Sequence, residues 1–136
     1  MSNFKNWTSA AVLDIKTRQH EKAEKAKPKE TANAITRNII LAANVQPGCV
    51  AYRINNVGVW DAEKGVHRKG NTEKGLPDVI LIYRGRFYAI EVKAGKDKMS
   101  IEQLHRKFEI ERAGGVYFEA RSTDSFLKWF IEILKT

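Results

Sequence analysis

Two carboxylates and an amine stand close together between Gly75 and Gln103: Asp78 follows Gly75-Leu76-Pro77, and Glu91 and Lys93 flank Val92. Between them lie two short runs rich in β-branched and aromatic residues, Val79 to Tyr83 and Arg86 to Val92, joined by Arg84-Gly85. That pattern predicts a β-hairpin. With the turn centred on Arg84 and Gly85, Asp78 falls directly opposite Glu91. Opposed side chains in an antiparallel pair have Cβ atoms about 4.5 to 5.5 Å apart, and two carboxylates that close repel unless a proton or a cation lies between them. Lys93, two residues beyond Glu91, is expected on the same face. Two acids and one amine then converge. This set suits hydrolysis of a phosphodiester with a hard cation, Mg²⁺ or Mn²⁺, which takes oxygen ligands, keeps several waters and neutralises charge on phosphate. Asp78 and Glu91 are the expected metal ligands. Lys93 is expected either to contact the phosphate as a charge or to position or deprotonate the attacking water, and the sequence leaves both roles open.

These residues also carry a resemblance. Pro77-Asp78 followed by Glu91-Val92-Lys93 after a hairpin resembles the PD-(D/E)xK nuclease superfamily. Within it, Gly75-Leu76-Pro77-Asp78, Glu91-Val92-Lys93-Ala94-Gly95 and Ser100-x-x-Gln103 are similar to the VRR-Nuc (virus-type replication-repair nuclease) family, over roughly Glu30 to the C-terminus. The resemblance implies that the Val92 backbone carbonyl joins the two acids at the metal. It also implies a site glutamate on the first helix and a site glutamine on the helix after the hairpin, which Glu30 and Gln103 match. Each has a local alternative. Ser100 and Gln103 fit a capping box, and a carboxylate such as Glu30 is favoured in a first helical turn by the helix dipole alone.

The chain has 136 residues, enough for one domain with a sizeable core. With 24 basic and 16 acidic side chains its formal charge is +8, which favours a polyanionic partner, and DNA is the expected one. Cys49 is the single cysteine, and no apolar run is long enough to span a membrane, so a soluble, intracellular (cytoplasmic) protein is expected. His20, His67 and His105 share no metal-ligand spacing with Cys49 or with each other, so zinc and His-metal nuclease motifs are not supported.

The elements that must position the site follow from periodicity. Residues 1–27 read as an N-terminal arm, a short amphipathic helix around Val12 and Ile15 followed by polar sequence, helical or frayed. The nuclease-like domain is expected over 28–136. A first helix carries Ala32, Ile35, Ile39 and Ala42 and stops at Pro47-Gly48. Val50 to Trp60 reads as one strand broken near Asn56, with Gly65 to Lys69 pairing back. Arg53 in Tyr52-Arg53-Ile54 is similar to an arginine-containing stretch of VRR-Nuc proteins, and beside two acids it would bridge phosphate bidentately. Arg68, Lys69 and Lys74 before the site, and Lys96 and Lys98 after it, are expected DNA contacts, although a charge run is also simply well solvated. The helix from Ile101 to Ala113 is expected to place Ile101, Leu104 and Phe108 on its core face. A strand from Val116 to Glu119 follows, then a helix capped by Ser122, whose apolar arc, broadened by Trp129 and Ile133, calls for two partners.

This order fits an α/β fold with a restriction-endonuclease-like core, a mixed β-sheet flanked by helices, and the resemblance points the same way. The expected activity is that of a divalent-metal-dependent DNA endonuclease. By the resemblance it acts as a homodimer selective for branched DNA, such as four-way (Holliday) junctions in DNA repair. The alternatives are a nuclease for linear, nicked or flapped DNA and a non-catalytic DNA-binding module.

Overall fold

The computed structural model describes Asp14, Thr17, Arg18 and residues 29–54 and 56–136. The arm expected over 1–27 lies outside the described residues apart from those three, of which Arg18 Nε stands 3.1 Å from Asp14 Oδ2.

Thr31 opens α1 (Ala32–Asn44) by accepting a hydrogen bond from the Ala34 N–H at 3.2 Å, which satisfies an amide that the helix cannot pair itself. Glu30 therefore precedes the cap instead of lying in the first turn. Ile35, Ile39 and Ala43 recur at helical spacing and are fully buried. At the other end the Asn44 side chain bonds the Ala51 backbone in both directions and so pins β1 (Cys49–Arg53) to the helix.

The run expected as one strand from Val50 to Trp60 is instead two strands in two sheets. After β1 the chain leaves the core and forms a small antiparallel ribbon of β2 (Val59–Asp61) and β3 (Val66–Arg68). The glycines at its base decide this: a Cβ on Gly58 would lie 2.6 Å from the Arg68 carbonyl oxygen, and one on Gly70 would lie 2.9 Å from that of Val57. Two bare backbones press together there, and the ribbon rises from that neck.

The main sheet comprises β1, β4 (Val79–Tyr83), β5 (Arg86–Val92) and β6 (Val116–Ala120) in the order β1-β4-β5-β6, antiparallel except for the parallel β5/β6 pair. A parallel neighbour needs a crossover, and α2 (Ile101–Arg112) supplies it. α3 (Thr123–Leu134) closes the chain. Strand alternation gives the sheet two faces. Leu81, Tyr88 and Ile90 lie on the face that packs with Ile35 and Ile39 of α1 and with Phe126 and Phe130 of α3. Ala89, Glu91 and Tyr117 lie on the face that α2 covers.

Of two expectations about the helices, one is met within the chain and one is overturned. The wide apolar face of α3 has two partners, α1 and the sheet, where Trp129 stacks on Phe118 at 4.4 Å and meets Tyr88 edge-on at 5.7 Å. On α2 the apolar stripe faces outward: Ile101 is 83% exposed, Leu104 52% and Phe108 63%. The reason lies in what the helix covers. Glu91, Glu119 and Tyr117 make that end of the sheet face polar, so α2 turns Gln103 and Lys107 inward, with Lys107 Nζ 5.9 Å from the Tyr117 ring centre. Among the described residues no helix is long and apolar enough to cross a membrane.

Gly75 fixes the start of α2 against the strand that follows it. Its φ is +72°, and a Cβ there would lie 2.4 Å from the Glu102 carbonyl oxygen. Gly75→Ala is therefore expected to lower stability by more than about 1 kcal/mol, through the left-handed φ and the clash together. A urea unfolding curve would measure it, with Gly48→Ala, also at positive φ but facing open space, as the milder comparison.

Candidate active site

The hairpin turn sets the geometry of everything at the site. Arg84 (φ 49°) and Gly85 (φ 78°) both adopt left-handed backbone, as a two-residue hairpin turn requires. Val79 consequently pairs with Ile90 and Tyr83 with Arg86. One step further along this register, Asp78 stands opposite Glu91, as the sequence predicts.

The hydrogen bonds show which kind of opposed pair this is. The Asp78 carbonyl accepts from Ile54 N–H at 2.8 Å, so the Asp78 main chain faces β1. The Lys93 N–H donates to the Ala120 carbonyl at 3.0 Å, so Lys93, and Glu91 with it, faces β6. Asp78 and Glu91 thus form a non-hydrogen-bonded pair, the kind in which side chains come closest. Val92, between them in phase, faces β4, and its N–H donates to Asp78 Oδ2 at 2.9 Å. Its carbonyl points the same way, toward the position of Pro77, which has no N–H to offer. Pro77 therefore cannot supply the ladder donor that this carbonyl would otherwise meet beside the two acids.

Glu91 is 2% exposed. Its Oε1 accepts from Gln103 Nε2 and lies 3.1 Å from Lys93 Nζ, while its Oε2 is buried with no hydrogen-bond partner. Burial, and then the Asp78 carboxylate, push its pKa up to about 7 against the counter-pull of Lys93. A buried carboxylate oxygen without a donor, next to a second carboxylate and the Val92 carbonyl, fits a hard divalent cation. Among the described residues no group of three or more His, Cys, Asp or Glu side chains forms. Two carboxylates with the remaining positions filled by water and phosphate is how Mg²⁺ is usually held.

Gln103 does both of the things its sequence position allows. Its Oε1 accepts from the Ser100 N–H at 2.9 Å while Ser100 Oγ accepts from the Gln103 N–H, a complete capping box. The cap occupies the oxygen end of the amide and so aims the nitrogen end at Glu91.

The other expected site residues are placed differently. Glu30 bonds Thr123 through both its backbone N–H, at 3.0 Å, and its hydroxyl, so it caps α3, and these bonds hold its pKa below the ordinary value. Arg53 pairs with Val79, on the α1 face of the sheet, and donates to Asn33 Oδ1 at 2.8 Å. Arg68 is tied to Asp61 across the ribbon. Lys69, Lys74, Lys96 and Lys98 are exposed on the loops around the site. The Lys74 carbonyl accepts from Arg106 Nη2 at 3.2 Å, which holds the end of that loop to α2.

Two nearby residues escape a reading of the sequence. Tyr117 shares the face of Glu91, its hydroxyl is buried without a partner, and burial with the carboxylates of Glu91, Asp78 and Glu119 raises its pKa well above the ordinary value. Arg121 pairs with Glu119 and donates to the Asp97 carbonyl at 2.6 Å, anchoring the loop that carries Lys96 and Lys98. Alternation in Val116 to Ala120 groups Tyr117 with Glu119, but only the parallel register brings both to Glu91.

No family model and no curated protein matches the sequence. Among solved structures the chain is similar to one described as "VRR_NUC domain", with a TM-score of 0.54 and 19% identity, covering 74% of this chain and 96% of that one. The likeness is one of fold, and it agrees with the restriction-endonuclease-like architecture of a mixed sheet flanked by helices.

Glu91 makes stability depend on pH in a defined direction. Because its folded pKa of about 7 lies above the ordinary 4.5, folding favours the protonated acid. Its contribution is intact below about pH 4.5 and is lost as pH rises through 7. Glu91→Gln is therefore expected to be more stable than the native chain at pH 8, by on the order of 3 kcal/mol, and the gap should close toward pH 4.5. Chemical unfolding across that pH range would check it.

Proposed function

We propose that the protein is a divalent-cation-dependent DNA endonuclease in which Asp78, Glu91 and the Val92 carbonyl hold Mg²⁺ or Mn²⁺. The observation that carries this reading is the opposed, non-hydrogen-bonded acid pair, with one oxygen of the buried Glu91 left without a donor. When bound, such a cation neutralises charge developing on phosphate and lowers the pKa of a coordinated water. The protein's own residues do the rest. Asp78 is held in place by the Val92 N–H, and Glu91 by Gln103 and Lys93. Lys93 presents its charge beside Glu91, where it meets a phosphate oxygen and orients the incoming water. Water adds to phosphorus and one P–O ester bond breaks, leaving a phosphate monoester on one strand end and a hydroxyl on the other. The net charge of +8 and the exposed Lys69, Lys74, Lys96 and Lys98 suit a polyanionic substrate.

The finer reading is a homodimer acting on branched DNA. Its support is the outward stripe of Ile101, Leu104 and Phe108, spaced as one side of a helix on the element that also carries Gln103. The charges along α2 balance, Glu102, Glu109 and Glu111 against Arg106, Lys107 and Arg112, so two copies can meet there without repulsion. A stripe this apolar wants a partner. DNA repair is the process such an enzyme would serve.

Cleavage assays with Mg²⁺ or Mn²⁺ test the site. Asp78→Asn and Lys93→Ala are expected to lose at least about 10²-fold in rate while still binding DNA. Equal cutting by Asp78→Asn and the native chain removes the assignment and leaves a DNA-binding module. A substrate panel of four-way, flapped, nicked and linear DNA, run beside a measurement of mass in solution, tests the rest. The native chain should be a dimer that prefers the junction, and Leu104→Ser with Phe108→Ser should be a monomer. A native monomer that cuts linear DNA equally well overturns the junction reading.

A further inference from the structure

We propose that the β2/β3 ribbon is a base-reading arm, and that Trp60 stacks on an unpaired nucleobase of the substrate next to the cleavage site. The inference rests on the DNA reading above and adds a surface to it. Among the described residues β2 and β3 pair only with each other. A two-stranded hairpin with no further strand or helix on it is marginal in water, yet this one presents a tryptophan that is 56% exposed. Register places Trp60 opposite His67, with the rings edge-on at 5.3 Å, and alternation brings Lys69 to the same face. One face therefore offers an aromatic plane, a second ring behind it and a cation. Arg68 lies on the opposite face and is neutralised by Asp61, which leaves Lys69 as the charge beside Trp60. A groove of about 570 Å³ is lined by Trp60, Val57, Val59 and Lys69, with Asp61 and Glu63 also on its wall.

Position links the ribbon to the chemistry. The bare-backbone neck at Gly58 and Gly70 fixes its root, and Asn56 Nδ2 donates to the Leu76 carbonyl at 3.2 Å, two residues before Asp78. Its occupant is a nucleobase rather than a second copy of the chain, because an exposed ring with Lys69 beside it matches the flat rings and opposite charge of nucleic acid, whereas a second copy would bring the same lysine to the same place. A paired duplex keeps its bases inside the stack. Only DNA with an unstacked base offers a partner to Trp60, so the ribbon would make the enzyme respond to DNA structure.

The test is binding by the full chain carrying Asp78→Asn, so that the probe stays intact, to a fluorescent duplex with a single-stranded gap and to the same duplex fully paired. Adding Trp60→Ala should weaken the gapped probe about tenfold, in line with the loss of one stacked base, and leave the paired probe unchanged. Trp60→Phe should restore most of the loss, which separates stacking from misfolding. Lys69→Ala should weaken both probes alike, as a phosphate contact does. Quenching of tryptophan fluorescence by the gapped probe should vanish with Trp60→Ala. The proposal is overturned if Trp60→Ala binds both probes as before, weakens both equally, or turns a dimer into a monomer, the last marking the ribbon as a subunit interface. If the parent chain binds neither probe, the DNA reading itself fails. If it binds both and Trp60 is silent, only the ribbon's role does.

Discussion

Mutual repulsion of two carboxylates at the end of a hairpin is the constraint on which the rest of this structure turns. Asp78 and Glu91 are opposed in the closer kind of antiparallel pair, and Glu91 is almost wholly out of water. Burying a charge beside a like charge is unfavourable unless something offsets it. The fold offsets it in part, with Lys93 and Gln103 on one oxygen of Glu91, and leaves the other oxygen without a donor. A fold that wanted only stability would place an apolar residue there. The unsatisfied acid has a use only if a cation or a proton completes it.

The surroundings follow from that choice. The two-residue turn at Arg84-Gly85 fixes the register, and a slip of one residue would send Glu91 and Lys93 to the opposite face, into the core shared by α1 and α3. Pro77 withholds the N–H that would otherwise occupy the Val92 carbonyl. Because the sheet end near Glu91 is polar, α2 brings polar side chains to it and leaves its apolar ones outside. The helix is held by its N-terminus as much as by burial: the capping box at Ser100 and Gln103, the fit of Gly75 against Glu102, and the Arg106 contacts to Glu73 and Lys74. A chemically demanding face thus produces an exposed hydrophobic stripe, and an inward requirement becomes an outward surface.

The positive charge of the chain is unevenly committed. Several basic side chains have structural partners: Arg53 with Asn33, Arg68 with Asp61, Arg121 with Glu119, and Arg106 with Glu73 and Glu109. The lysines on the loops either side of the site are exposed instead. These arginines, with their planar forks, supply framework contacts, while Lys69, Lys74, Lys96 and Lys98 on the loops face solvent.

Much of the site was legible in the sequence because its geometry is local. The turn residues and the alternation of Val79 to Tyr83 and Arg86 to Val92 determine a register, and the register alone places Asp78, Glu91 and Lys93 together. The Ser100-x-x-Gln103 spacing likewise determines a cap. What the sequence left open depends on contacts distant along the chain. Arg53 falls on the α1 face because β1 pairs with β4, Glu30 caps α3 because the first and last helices pack side by side, and Tyr117 reaches Glu91 only through a parallel pairing across α2. The apolar period of α2 fixed that it is an amphipathic helix, but not which way it faces. A period reports where apolar residues stand on an element; whether they turn inward depends on the polarity of the surface they would meet, which exists only once the sheet is assembled.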